Sequence, residues 1–140
     1  TAHGVEMAGV SGSFVDVHKW RMDEGHEDFA IMDSTICLEG TGPHTAPVNA
    51  GITIHCKDRN KAGAYALLAS NDLAANDLVA AQLMGIAEAD VKGLRMARNI
   101  GLGEMDDVVM KGASVDELKI ADWQAPELDG EDYFEFVCKD

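Results

Sequence analysis

Carboxylates gather in the segment Ser70-Asn71-Asp72-Leu73-Ala74-Ala75-Asn76-Asp77. Asp72 stands where an apolar, strand-like run gives way to a helical pattern, and its side chain can accept the free amide hydrogens of a first helical turn. Asp77 lies inside that helix, which is apolar on nearly every side. A carboxylate hidden without a partner is driven neutral, so Asp77 calls for a cation, a hydrogen-bonding backbone turn or a metal. Asp33 ends a second apolar run, Phe29-Ala30-Ile31-Met32. In open α/β sheets, ligands bind beyond the carboxyl ends of parallel strands. If the strands ending at Asp33 and Ala69 run parallel, then Asp33, Asp72 and the turn at 39–44 share one edge. Oxygen-rich sets of this kind suit Mg²⁺ or Mn²⁺ better than zinc, which makes Asp33, Asp72 and Asp77 the candidate metal ligands.

The turn itself, Glu39-Gly40-Thr41-Gly42-Pro43-His44, offers backbone amides that can cradle an anion. Glu39, Gly40, Gly42 and His44 therefore join the candidate ligand-binding set, although a plain tight turn needs the same residues. No Gly-Lys-Ser/Thr follows, so the segment is not a Walker phosphate loop, and it is not a dinucleotide fingerprint. His3, His18, Lys19, Arg21 and His26 make the N-terminal stretch the basic, imidazole-rich part of an acidic chain. Such groups polarise carbonyls or carry protons near neutral pH, and His3, Lys19, Arg21 and His26 are placed facing the pocket. No nucleophile elbow or triad spacing is present.

These residues need elements to position them. The glycine-rich, weakly periodic stretch 1–27 predicts loop, with one short strand around 14–17. Within 28–38, the short apolar run Phe29-Ala30-Ile31-Met32, ending at Asp33, predicts a buried parallel strand. Residues 51–56 alternate, with Ile52, Ile54 and Cys56 one way and Thr53 and His55 the other, as in a half-buried strand. A polar turn leads to the run 65–69, and these two strands form a predicted hairpin. A buried helix follows from Asp72 to about Met84 and stops at Gly85. An amphipathic helix over 89–100 sets Leu94, Ala97 and Ile100 on one side and Lys92, Arg95 and Arg98 on another. One more strand is predicted at 108–110. The sum is an α/β domain with a small mixed or mostly parallel sheet packed with helices.

At 140 residues and 46% hydrophobic, the chain suits one folded domain. Its net charge of -14 repels phosphate backbones, which argues against nucleic acid and for cations or basic protein surfaces. No apolar run is long enough for a membrane span, and no secretory signal is visible. Cys37, Cys56 and Cys138 lack any Cys-x-x-Cys spacing, so no self-contained iron–sulfur cluster is expected; the odd count reads as reduced thiols in a cytoplasmic setting. The segment 125–140 is an acidic, aromatic tail.

Residues 28–40 (DFAIMDSTICLEG), Gly42-Pro43, 66–85 (ALLASNDLAANDLVAAQLMG) and 94–103 (LRMARNIGLG) resemble the C-terminal part of the uncharacterised domain-of-unknown-function 362 family. That family shows an apolar strand ending in Asp, a Glu-Gly-x-Gly-Pro turn, a Ser-x-Asp-x-x-x-x-Asp helix start closed by Met-Gly, and a later Gly-Leu-Gly. Ser70, Asp72, Asp77, Met84 and Gly85 match in order and spacing, and the likeness covers roughly residues 1–112. Departures are plain. Lys19 is followed by Trp20 where the family has Lys-Asn, Arg21 precedes His26 by one residue more than in the family's Arg-x-x-x-His, residues 47–61 look inserted, and the family's N-terminal half is absent. The resemblance implies an α/β fold and a redox association through iron–sulfur relatives. The expected function is thus a ligand- or metal-binding domain of a redox-associated protein, taking a small molecule or a divalent cation. The competing expectation is a non-catalytic subunit or protein-interaction module that meets a partner chain in a homo- or hetero-oligomer.

Overall fold

The computed structural model describes residues 5–34, 36–39, 52–55, 66–121 and 123. The first element is a helix, α1 (Val5–Asp23), where the glycines predict loop and a short strand. Glycine within a helix costs about 1 kcal/mol relative to alanine. Packing offsets it: α1 lies on a later helix, with Val15 buried in the shared core. No proline occurs before Pro43 to break the turn, and Lys19 pairs with Asp23 one turn on.

Among the described residues four strands follow: β1 (Ala30–Ser34), β2 (Ile36–Glu39), β3 (Ile52–His55) and β4 (Ala66–Ser70). β1 pairs with β4, Ala30 opposite Ser70 and Ser34 opposite Ala66; β2 pairs with β3, Ile36 opposite His55. The fold is α/β as expected, but both ladders are antiparallel, so the mostly parallel sheet is not what the described residues form. The predicted hairpin between the third and fourth strands is absent too, because each instead pairs with part of the stretch 30–39. From Ser34 to Ile36 the first stretch advances two residues, while from His55 to Ala66 the second advances eleven, an excess of nine. Most of the inserted stretch expected at 47–61 lies outside the described residues; the ladders locate an excess between His55 and Ala66.

The helix α2 (Leu73–Met84) is the centre of the molecule. Ala74, Leu78 and Ala81 join Val15, Leu94, Ala97, Leu102 and Met105 in one core. Val79, Ala80 and Leu83 join Leu68 in a second, with Met32, Val108, Met110 and Leu118 against it. Two cores explain why the helix reads as apolar nearly all round. Gly85, at φ 70°, closes it: the N–H of Gly85 donates to the Gln82 carbonyl and that of Ile86 to Ala81. A single 3-10 turn (Glu88–Asp90) leads to α3 (Lys92–Asn99), amphipathic as predicted, and a short α4 (Val115–Leu118) carries a capping box between Ser114 and Glu117. Residues 108–110 are not a strand. Val108 and Met110 turn inward and Val109 outward, as strand residues would, yet no strand among the described residues bonds to them.

Candidate functional site

Antiparallel pairing decides the fate of the acidic pocket. It sends the carboxyl ends of β1 and β4 to opposite ends of the ribbon. Asp33, near the end of β1, faces Leu67, whereas Asp72 lies beyond Ser70, about five residues or roughly 16 Å along the ladder. Asp33 and Asp72 therefore do not share an edge. Among the described residues, no group of three or more His, Cys, Asp or Glu side chains is arranged to hold a metal ion.

Asp72 is occupied with the backbone. Its Oδ1 accepts the Ala75 N–H at 3.0 Å, capping α2, and its Oδ2 accepts the Glu104 N–H at 2.6 Å. The Ser70 hydroxyl in turn accepts the Asp72 N–H at 3.0 Å. The loop at 102–105 is thus clamped to the start of α2. Gly103 permits the approach: its φ is +80°, and a Cβ there would lie 2.6 Å from the Ala74 methyl and 2.7 Å from the Asp72 Oδ1. In this structure Asp72 acts as a clamp between the start of α2 and the loop at Glu104.

Asp77, expected to be hidden, is exposed on α2, while its neighbour Asn76 is 5% exposed. A helix turns about 100° per residue, so an all-round apolar pattern leaves this phase open, and the polar residue that folding hides is the amide. Partial desolvation still raises the Asp77 carboxyl above its ordinary range, opposed by His18 from α1.

His18, Arg21 and Asp28 do come together. His18 Nδ1 lies 3.1 Å from Asp28 Oδ2, and the Arg21 Nε donates to Asp28 Oδ1 at 2.9 Å. The guanidinium grips both carboxylate oxygens and holds Asp28 below the usual carboxylate range, with His18 acting the same way. A carboxylate that orients an imidazole is an acid–base arrangement, and it also ties the end of α1 to the start of β1. Sequence reasoning found Arg21 but missed Asp28, whose signal is an acid just before an apolar run and just after the Gly25 turn. Lys19 is engaged with Asp23, and the His26 ring lies 6.3 Å from that of Trp20. Arg98, read from sequence as part of a solvated stripe, binds Glu88 and Asp106, which raises its pKa and lowers that of Glu88. Glu39 ends β2 opposite Ile52. His3, Gly40, Gly42, His44, Cys56 and Cys138 lie outside the described residues, as does the acidic tail.

Two surface features were not foreseen. The outward face of the β1–β4 ribbon carries Phe29, Ile31 and Leu67, which are 67%, 71% and 64% exposed, beside Asp33. On α1, Phe14, Val17 and Trp20 recur every third residue and are exposed as well. No helix among the described residues is long and apolar enough to cross a membrane. Compared with known proteins, the chain matches no family model, no curated protein and no solved structure.

Proposed function

We propose that the chain is a non-catalytic interaction module that docks on a partner protein through the outer face of its β1–β4 ribbon. The observation that carries this reading is the composition of that face. An antiparallel sheet with one side on a core ordinarily turns polar residues to water on the other. Here Phe29, Ile31, Leu67 and Ala69 point outward, with Asp33 among them. Contiguous apolar surface with a polar edge is the usual mark of a protein contact. The net charge of -14 favours a partner whose apolar centre is rimmed by Lys and Arg.

A photo-crosslinking benzoyl-phenylalanine placed at Ile31 in the source cells tests the reading, with the same group at exposed Arg95 as reference. One adduct of defined mass from position 31, absent from position 95 and lost when Leu67→Lys is added, is the expected result. Adducts equal at both positions, or none at 31, would end the proposal.

A second reading, a ligand-binding domain of a redox-associated protein, draws on the His18–Asp28 pair and on the family resemblance of the sequence. Its metal part can be tested by calorimetry with Mg²⁺ or Mn²⁺. Because both Asp72 oxygens are engaged by backbone amides, Asp72→Ala should leave any binding heat of the folded protein unchanged. Loss of that heat in the variant would return Asp72 to a metal site.

A further inference from the structure

A cavity of about 380 Å³ lies between β4, α2 and the segment 108–113. All five residues of β4, Ala66–Ser70, line it. Successive strand residues point to opposite faces, so a space that touches every one of them follows the strand's edge and not one of its faces. That edge is open: among the described residues β4 pairs with β1 alone. Its N–H and C=O groups therefore meet the cavity as alternating donors and acceptors.

The opposite wall has the same character. Val108 and Met110 alternate with Val109 as strand residues do, without a bonded strand neighbour. Asn76 completes the site from α2. It lines the cavity and is 5% exposed, the one buried polar side chain among the described residues. Its backbone N–H is used, donating to the Asp72 carbonyl, but its carboxamide has no protein partner among the described residues. No fully sealed side-chain polar atom among these residues is orphaned, so the free carboxamide opens on the cavity. A carboxamide that opens on the groove can both donate to and accept from whatever lies along it.

We infer that this groove binds a short extended peptide segment, inserted as an extra strand along the free edge of β4. A polypeptide main chain offers the alternating groups the edge lacks, and a carbonyl or N–H of it would satisfy the Asn76 carboxamide. Leu68, Val79, Met110 and Leu118 form the wall for its inward side chains. A second folded copy does not suit the site, because the segment 108–113 already stands on the far side, where the copy's own sheet would have to pass. Lys111 is the charged residue of the lining, so an acidic residue is favoured at that end of the peptide and a basic one is not. The groove borders the outward sheet face, sharing Leu67 and Ala69 with it, but follows the edge of β4, and its occupancy does not depend on docking there.

The probe is an acetylated hexapeptide of alternating threonine and valine ending in aspartate, titrated into the ¹⁵N-labelled protein and followed by NMR. Saturable shifts at the amides of Ala66–Ser70, at 108–113 and at the Asn76 side-chain NH₂ are expected. Asn76→Leu should weaken binding about tenfold, the effect of one lost buried hydrogen bond, and Lys111→Glu should weaken it in a protein whose fold this exposed residue does not set. Two N-methylated peptides give a test that needs no protein variant. Methyls on the residues whose N–H groups bond β4 should abolish binding, whereas methyls on the alternate residues, whose N–H groups turn away from β4, should weaken it far less. Shifts scattered over the surface, or equal binding of the two methylated peptides, would overturn the inference. The Ile31 crosslink reads a different face, so either result can fail without the other.

Discussion

Replacing Asp72 with alanine would release the Ala75 and Glu104 amide hydrogens together, undoing a helix cap and a loop clamp with one change. Loss of a cap alone costs about 1 kcal/mol, and the second bond should bring the total to about 2 kcal/mol in urea denaturation. Gly103→Ala should cost at least as much, because the new methyl meets Ala74 and Asp72 at a positive φ. Acid should act through Asp28. Its folded pKa is depressed by Arg21, so the stability it contributes is complete above the unfolded value near 4 and fades as pH falls through the folded one. Asp28→Asn should therefore show a shallower loss of circular dichroism signal below about pH 4. Asp77 runs the other way: its raised pKa means that ionisation opposes folding, so Asp77→Asn should stabilise the protein at neutral pH and have no effect in strong acid. Asp72 was legible as a cap because capping needs only a residue type at a boundary. Asp77 was misplaced because burial on a helix depends on which neighbours pack where, and that information lies outside the helix.

The helices and the sheet differ in how far local sequence determines them. α2 and α3 carry a cap or a periodic face within their own residues, so both were readable. α1 was not, since its glycines argue against a helix and what chiefly favours one is contact with α3 and Val15's burial. Each strand was visible as an alternating or apolar run, but the pairing was not, because partners are chosen across stretches that the strands themselves do not encode. The expected parallel arrangement is also what set Asp33 and Asp72 at one edge, and that placement goes with it. Leu94, 2% exposed, is where α3 enters the first core. Leu94→Ala should cost about 2–5 kcal/mol, a large share of a small domain's stability, and the drop in thermal midpoint measures it.

Across the whole molecule, a charge of -14 means that the folded surface repels itself. Added NaCl should raise the melting temperature up to about 0.15 M, where the screening length is roughly 8 Å. A flat response would show that the pairs made by Arg21 and Arg98 already neutralise what matters. One further consequence follows from how α2 is finished. Its N-terminal clamp is the Glu104 N–H, and near its C-terminus the Leu83 carbonyl accepts the Ile120 N–H at 2.8 Å. Both closures come from chain made later than the helix they secure. On a ribosome, then, the central rod must wait, half-formed and with its two apolar sides only partly covered, until the segment through Ile120 has left the exit tunnel. Nascent chains stalled just before and just after that point should differ sharply in their resistance to protease.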